Sequence, residues 1–236
     1  MFTQKYYQEE DQQLFITRKQ GSNFAKDIAG DFNPLHDEDN SRFCVPGDLL
    51  FSIMLSQFGI SHSMSFNFQG MIAGRTPFNF EANVNEIIAK NENDKPLITL
   101  NRSGEVTRNE VFIEGLIRSY VAFSGKTFPH ILVELMLKEQ KMINTKKPMV
   151  IYDSMKLSFD RFTETAPSVE LNNCQFDVNG KRGMVTMNFD LMSDTHSIGK
   201  GEKQIIMSGL REYDQNSIDE LVKTYDDKKN NWKLLE

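Results

Sequence analysis

The longest apolar run of the chain reads LLFSIML, residues 49–55, and it directly follows Pro46, Gly47 and Asp48. These three residues are typical of a turn that opens a helix. A helix this apolar is expected to be buried on most sides. The run is far too short to span a membrane, which needs about 20 apolar residues.

Beyond this helix the hydrophobic pattern changes from helical to alternating. Apolar and polar residues alternate over 64–68 and 78–84, and further strand-like segments cover 96–101 and 110–123. Several strands without helices between them favour an antiparallel sheet rather than alternating βαβ units. The sequence therefore predicts the α+β class, with a sheet wrapped around one buried helix.

The second half of the chain repeats this order. A second apolar helix is predicted from His130 to about Leu137, and residues 156–160 and 185–188 resemble residues 64–67 and 98–101. Matches that recur in one order indicate a diverged tandem duplication. We expect one unit in 1–125 and a second, ending in a C-terminal helix, in 126–236.

Composition and charge exclude several classes of protein. The 236 residues are 39 % hydrophobic and 25 % charged, with a net charge of −6, which is ordinary for a globular protein and disfavours nucleic-acid binding through a basic surface. The two cysteines, Cys44 and Cys174, belong to no zinc-spaced cluster, so no metal site is predicted. The polar N-terminus lacks a secretory signal, so we expect a cytoplasmic protein with no membrane span.

One loop carries an acid and an imidazole close together. It reads GDFNPLH, residues 30–36, and Pro34 with the preceding Asn33 favours a tight turn between Asp31 and His36. A carboxylate and an imidazole that face one point can hold and activate a water molecule. The same residues also fit a helix C-cap followed by an Asx-turn with a solvated histidine, and composition alone leaves that alternative open.

This loop resembles the signature of the MaoC-like, (R)-specific enoyl-CoA hydratases, in the pattern Gly30-Asp31-x-Asn33-Pro34-Leu35-His36. The resemblance extends over roughly residues 10–123 and includes the glycine turn into the apolar helix and the segment 64–74. It implies a hotdog fold and, with the duplication, a double hotdog: two long buried helices, each wrapped by an antiparallel sheet, with the two sheets joined into one.

The resemblance also implies roles for individual residues. Asp31 and His36 correspond to the catalytic pair, and Asn33, Gly47 and Asp48 are expected to line the substrate site. The Gly47 N–H would bind the thioester carbonyl at the start of the helix, where the helix dipole favours negative charge. The implied reaction is hydration of a trans-2-enoyl thioester of coenzyme A or of acyl carrier protein. It needs no metal and no further cofactor.

Two other functions fit parts of the sequence. Hydrolysis of an acyl thioester would use a helix carboxylate, for which Asp48 and Glu134 are candidates. A non-catalytic acyl-CoA or lipid-binding hotdog protein is favoured by the acidic run at 37–39 next to the loop. For either enzyme, Arg75 and Arg102 are candidates for a phosphate contact of the carrier. The expected assembly is a monomer or a homodimer of double hotdogs.

Overall fold

The structure, a computed structural model, describes residues 1–233. Within that range the chain forms five α-helices and twelve β-strands. The helices are α1 Arg18–Asn23, α2 Gly47–Phe58, α3 Glu110–Gly125, α4 Leu132–Lys138 and α5 Gln215–Lys233. The strands are β1 Gln8–Glu10, β2 Gln13–Phe15, β3 Ile60–Phe68, β4 Phe78–Ala82, β5 Glu86–Asn91, β6 Pro96–Thr107, β7 Lys141–Met142, β8 Met149–Phe159, β9 Ser168–Asn179, β10 Arg182–Ser193, β11 His196–Ser208 and β12 Arg211–Glu212.

Ten of these strands form one antiparallel sheet. Their order is β1-β2-β4-β5-β6-β3-β8-β11-β10-β9, and β7 and β12 form a separate two-stranded ladder. The order of β4-β5-β6-β3 is mirrored by β9-β10-β11-β8, so each group of four strands has the same connectivity. The groups join where β3 pairs with β8, from Ser63 opposite Ser158 to Asn67 opposite Ser154.

Two helices lie against this sheet and form the core. Residues Leu49 to Leu55 of α2 are all buried, as their apolar character predicts. The α3 helix packs against α2 through Tyr120 and Phe51, whose ring centroids lie 4.8 Å apart. It packs against β10 through Phe123 and Phe189, at 5.3 Å. One large antiparallel sheet around two central helices is the α+β, double-hotdog architecture expected from the sequence.

The segment 110–123 is a helix, and its prediction as a strand was wrong. Its buried apolar residues recur in pairs four positions apart, which is a helical period: Phe112, Ile113, Leu116, Ile117, Tyr120 and Val121. The segment is rich in Val, Ile, Phe and Tyr, which favour strands, but here the helical spacing of its apolar residues decides the structure. The Asn109 side chain also caps the helix by accepting a hydrogen bond from the Phe112 N–H, at 3.1 Å.

The second predicted helix forms close to the expected residues, but it is not the second long central helix. Residues 127–131 form a π-helical turn, and only Leu132–Lys138 form the α-helix α4. The long helix against the second group of strands is α3, which precedes this segment. The boundary at 125/126 falls at the end of α3 and stays a prediction.

Ser22 and Asn23 are residues typical of a helix start, so the sequence predicts a short helix from there to about Ile28, ended by Gly30. The observed helix before the acid–imidazole loop begins earlier. It starts at Arg18, where Thr17 and Gln20 form a capping box, and continues as a π-helical turn over Phe24–Ala29. It ends at Gly30, as expected. Gly30 is in the left-handed region with φ 63°, which redirects the chain into the loop.

Among residues 1–233 no helix is both long enough and apolar enough to cross a membrane.

Candidate functional site

A cavity of about 400 Å³ lies where the loop 30–36, the start of α2 and the end of α3 meet strands β8 and β11. Most of its wall is apolar, and includes Val45, Leu50, Ile72, Leu132, Val150 and Ile205. Polar groups reach it from the loop, from the start of α2, from the end of α3 and from β8 and β11. This one cavity is lined by all five residues expected at the site: Asp31, Asn33, His36, Gly47 and Asp48.

The loop holds Asp31 and His36 beside each other. The Asp31 Oδ1 atom accepts a hydrogen bond from the Asn33 N–H at 2.8 Å, and the second carboxylate oxygen lies 3.7 Å from His36 Nε2. That separation is longer than a direct hydrogen bond, and it allows one water molecule to contact both groups. Burial raises the pKa of Asp31, opposed by the charge of His36 and by the hydrogen bond from Asn33. A raised carboxyl pKa favours acid–base chemistry near neutral pH.

The orientation of the imidazole follows from its second nitrogen. His36 Nδ1 lies 2.8 Å from the backbone carbonyl oxygen of Cys44, which can only accept a hydrogen bond. Nδ1 therefore carries the hydrogen, and in the neutral ring the basic nitrogen is Nε2, the atom that faces Asp31. The Asn33 side chain stabilises the turn, because its Oδ1 atom accepts a hydrogen bond from the Leu35 N–H at 3.1 Å.

The C-terminal helix α5 packs across the outside of this loop. The Tyr225 hydroxyl donates a hydrogen bond to the Gly30 carbonyl oxygen at 3.1 Å, and the Phe32 ring packs edge-on against Tyr225. Lys228 and Lys26 both form ion pairs with Asp37. The first residue of the acidic run is thus neutralised by two lysines, and α5 holds the loop in place.

The start of α2 presents unpaired backbone donors to the cavity. Neither the Gly47 N–H nor the Asp48 N–H has a hydrogen-bond acceptor within residues 1–233. Backbone donors at a helix start can bind an oxygen that develops negative charge. The stacked rings of Phe68 and Tyr152 cover Gly47 so closely that a Cβ atom there would lie 3.1 Å from each ring.

Asp48 does not cap its own helix; it belongs to a buried polar cluster. Its Oδ2 atom accepts a hydrogen bond from Ser124 Oγ at 2.5 Å, and Lys203 Nζ donates to that Oγ at 2.6 Å. The Oδ1 atom is buried without a partner in the described part of the chain. Burial raises the pKa of Asp48 and lowers the pKa of Lys203, while the opposite charges of the two groups act against both shifts.

Sequence reasoning missed Ser124 and Lys203. Ser124 directly follows the segment 110–123, which the sequence pattern predicts as a strand. Lys203 is polar within a strand, but it alternates with Ile205 and Met207, which are both buried. Because strand side chains two positions apart share a face, this alternation was the signal that Lys203 points inward.

Other expected contacts lie away from the cavity. Arg102 donates hydrogen bonds to the backbone carbonyl oxygens of Val84 and Phe58, and Arg75 lies over the ring of Phe15. Glu134 is exposed on α4. None of these three residues lines the cavity. Over residues 1–233, no group of three or more His, Cys, Asp and Glu side chains is placed to hold a metal ion.

Comparison with known proteins identifies one family. The family described as "Protein of unknown function (DUF3581)" matches residues 1–216. No curated protein matches the chain.

Several solved structures are similar at low identity. A conserved protein of unknown function with hot dog fold from Alicyclobacillus acidocaldarius is 8 % identical, with 88 % of this chain and 98 % of that chain covered and a TM-score of 0.47. An acyl-CoA thioesterase II from Mycobacterium marinum is 9 % identical. The match covers 91 % of this chain and 99 % of that chain, with a TM-score of 0.43. The peroxisomal multifunctional enzyme type 2 from Drosophila melanogaster is 8 % identical. The match covers 82 % of this chain and 47 % of that chain, with a TM-score of 0.46. At these TM-scores the similarities carry no argument about the site.

Proposed function

The chain belongs to the family described as "Protein of unknown function (DUF3581)", and we propose that it binds an acyl thioester in the cavity and hydrates a trans-2-enoyl group there. The observation that carries the proposal is the pairing of Asp31 with His36 Nε2 at 3.7 Å on the cavity wall. The likeness of residues 30–36 to the hydratase signature supports the same reaction. The substrate carrier is coenzyme A or acyl carrier protein.

The shape and lining of the cavity suit an acyl chain. Apolar side chains form most of the wall, and three exposed apolar residues, Met71, Met149 and Ile151, stand at its edge. Exposed apolar side chains around a cavity are typical of ligand-binding grooves. Methionine adapts its shape to different partners, which suits acyl chains of different lengths.

The polar groups supply the chemistry of hydration. Asp31 and His36 together hold the water, and one of the two takes a proton from it as its oxygen adds to the β-carbon. The Asp31–His36 pair then supplies the proton that adds to the α-carbon. Negative charge develops on the thioester oxygen, which the unpaired N–H of Gly47 would bind at the positive end of α2.

The test is the loss of enoyl-thioester absorbance when pure protein is mixed with crotonyl-CoA or with a medium-chain trans-2-enoyl-CoA. Asp31→Asn and His36→Ala should each lower the rate by about 10²–10⁴-fold, the usual contribution of acid–base catalysis. His196→Ala is the matched control, because His196 is exposed on β11 and does not line the cavity. No absorbance loss at any chain length would contradict hydration, and full activity of both site variants would contradict the roles of Asp31 and His36.

Hydrolysis of a saturated acyl thioester is the second candidate. It is favoured by the Asp48 carboxyl group, which lies in the same cavity and is hydrogen-bonded to Ser124. A free-thiol assay with a saturated acyl-CoA tests it, because such a substrate cannot be hydrated. Thiol release by the parent protein that is absent in Asp48→Asn would support hydrolysis, and no release would exclude it for coenzyme A substrates.

A further inference from the structure

Three side chains from three separate elements meet in the cavity wall. Asp48 comes from the first turn of α2, Ser124 from the last turn of α3 and Lys203 from the middle of β11. The Ser124 Oγ atom is the centre of the group, since it donates to Asp48 at 2.5 Å and accepts from Lys203 at 2.6 Å. All three residues line the cavity that also holds Asp31 and His36.

A purely structural role explains this cluster poorly. Lys203 is only 4 % exposed, and removing a lysine and an aspartate from water costs several kcal/mol per ion. An apolar pair of similar volume at such positions is often as stable or more stable. Charged groups kept in a cleft at this cost are candidates for function.

The arrangement is that of an activated nucleophile. A serine hydroxyl is weakly nucleophilic by itself and needs a base within hydrogen-bond reach, which the Asp48 carboxylate provides. Serine–lysine pairs are a known variant of nucleophilic sites. Here the lysine donates a hydrogen bond to the oxygen of that hydroxyl, so its ammonium group is placed to act as the acid.

We propose that Ser124 accepts the acyl group of a bound thioester, with Asp48 as the base and Lys203 as the acid. This inference rests on the proposed function only in that the cavity binds an acyl thioester. Ser124 Oγ attacks the carbonyl carbon, and its proton passes to the Asp48 carboxylate. The carbon–sulfur bond breaks, and the leaving sulfur takes a proton from the Lys203 ammonium group. The products are an acyl ester of Ser124 and the free thiol.

Water completes the reaction. It attacks the ester carbonyl, one proton returns to Ser124 Oγ, and the fatty acid leaves. The proton on Asp48 passes back to the Lys203 amine, so both groups regain their starting charge. Burial raises the pKa of Asp48 and lowers the pKa of Lys203, which makes the first a stronger base and the second a stronger acid.

The experiment uses a saturated medium-chain acyl-CoA, which cannot be hydrated, so it is independent of Asp31 and His36. Parent protein is mixed with the substrate and acid-quenched at short times, and intact mass and released thiol are measured together. We expect a burst of one thiol per chain and a mass increase of one acyl group, located on the peptide that contains Ser124. Ser124→Ala should abolish the adduct, and Lys203→Met should slow thiol release by about 10²–10⁴-fold.

Matched controls separate a chemical role from a folding effect. Ser119→Ala changes a serine of the same helix whose hydroxyl accepts a hydrogen bond from the Val169 N–H, outside the cavity. Lys200→Met changes an exposed lysine of the same strand. Both should keep the adduct. Ser124→Cys restores a nucleophile, and it should form a thioester adduct.

Binding of a non-hydrolysable thioether analogue of the acyl-CoA distinguishes failure of the Ser124 role from failure of acyl-thioester binding. If the analogue binds but the parent forms no adduct and releases no burst, or if Ser124→Ala releases thiol at the parent's rate, the role of Ser124 is overturned and the binding proposal stands. If the analogue does not bind, both proposals fall together.

Discussion

Replacing Lys203 with methionine should destabilise the protein strongly, because the change keeps the size of the side chain and removes its charge. The lysine donates to Ser124 at 2.6 Å and lies 4.3 Å from the centre of the Tyr152 ring. Its loss leaves Asp48 buried with no positive partner in the cluster. Lys203 and Asp48 are buried opposite charges bridged by Ser124, and removing one charge of such a buried pair costs about 3–5 kcal/mol in the free energy of unfolding.

The size of the effect can be checked by denaturation. For a chain of this length, 1 kcal/mol corresponds to roughly 2–4 °C in Tm, so Lys203→Met should melt about 6–20 °C below the parent. Lys200→Met, on the exposed side of the same strand, should stay within about 0.5 kcal/mol of the parent. Urea titrations of both variants measure the same difference as a shift of the midpoint.

A double variant tests whether the uncompensated Asp48 charge causes this loss of stability. Asp48→Asn with Lys203→Met removes both charges, so the uncompensated carboxylate is gone and most of the lost stability should return. The effect of the uncompensated charge would be refuted by a Lys203→Met protein as stable as Lys200→Met. It would also be refuted by a double variant whose loss equals the sum of the two single losses.

Three further changes have defined outcomes. Gly47→Ala forces a methyl group against two stacked rings and should cost about 1–3 kcal/mol in unfolding free energy, measured by urea titration; a neutral result would show that the rings move freely. Burial raises the pKa of Asp31 in the folded state, so the parent should lose stability relative to Asp31→Asn as the pH rises from about 4 through the raised pKa. The Tm of both proteins measured against pH tests this. A Tm difference between them that stays constant with pH would contradict it. Burial raises the pKa of Cys44 and of Cys174 to about 11, so both thiols should alkylate on the order of 10²-fold more slowly than in the unfolded chain at pH about 8. A bound acyl-CoA should further protect Cys44, which lines the cavity, and leave Cys174 unchanged, as peptide mass spectrometry would detect; equal protection of both would contradict the location.

Local patterns in the sequence predicted the part of the fold that depends on neighbouring residues. The apolar run after Gly47 is a buried helix, and the alternation over 64–68 lies within β3, at the centre of the sheet. The left-handed Gly30 ends its helix as expected. These features follow from hydrophobic period and turn chemistry, which the sequence displays directly.

Features that depend on the whole sheet could not be predicted in the same way. The match between 98–101 and 185–188 relates β6 to β10, whereas the strand order pairs β6 with β11 as equivalents. Asp48 was expected near the start of α2, but its partner Ser124 lies 76 positions away in sequence. Contacts of this kind arise from the packing of α3 on the sheet, and no local pattern encodes them.

Titration of the protein with alkyl thioether analogues of coenzyme A tests most directly whether the cavity is an acyl-thioester site. Calorimetry should give one analogue per chain, with affinity rising by up to about fourfold for each added CH₂ that the apolar wall buries. Coenzyme A without an alkyl chain should bind more weakly than any of them. No binding, or an affinity that does not change with chain length, would show that the cavity is not an acyl-thioester site.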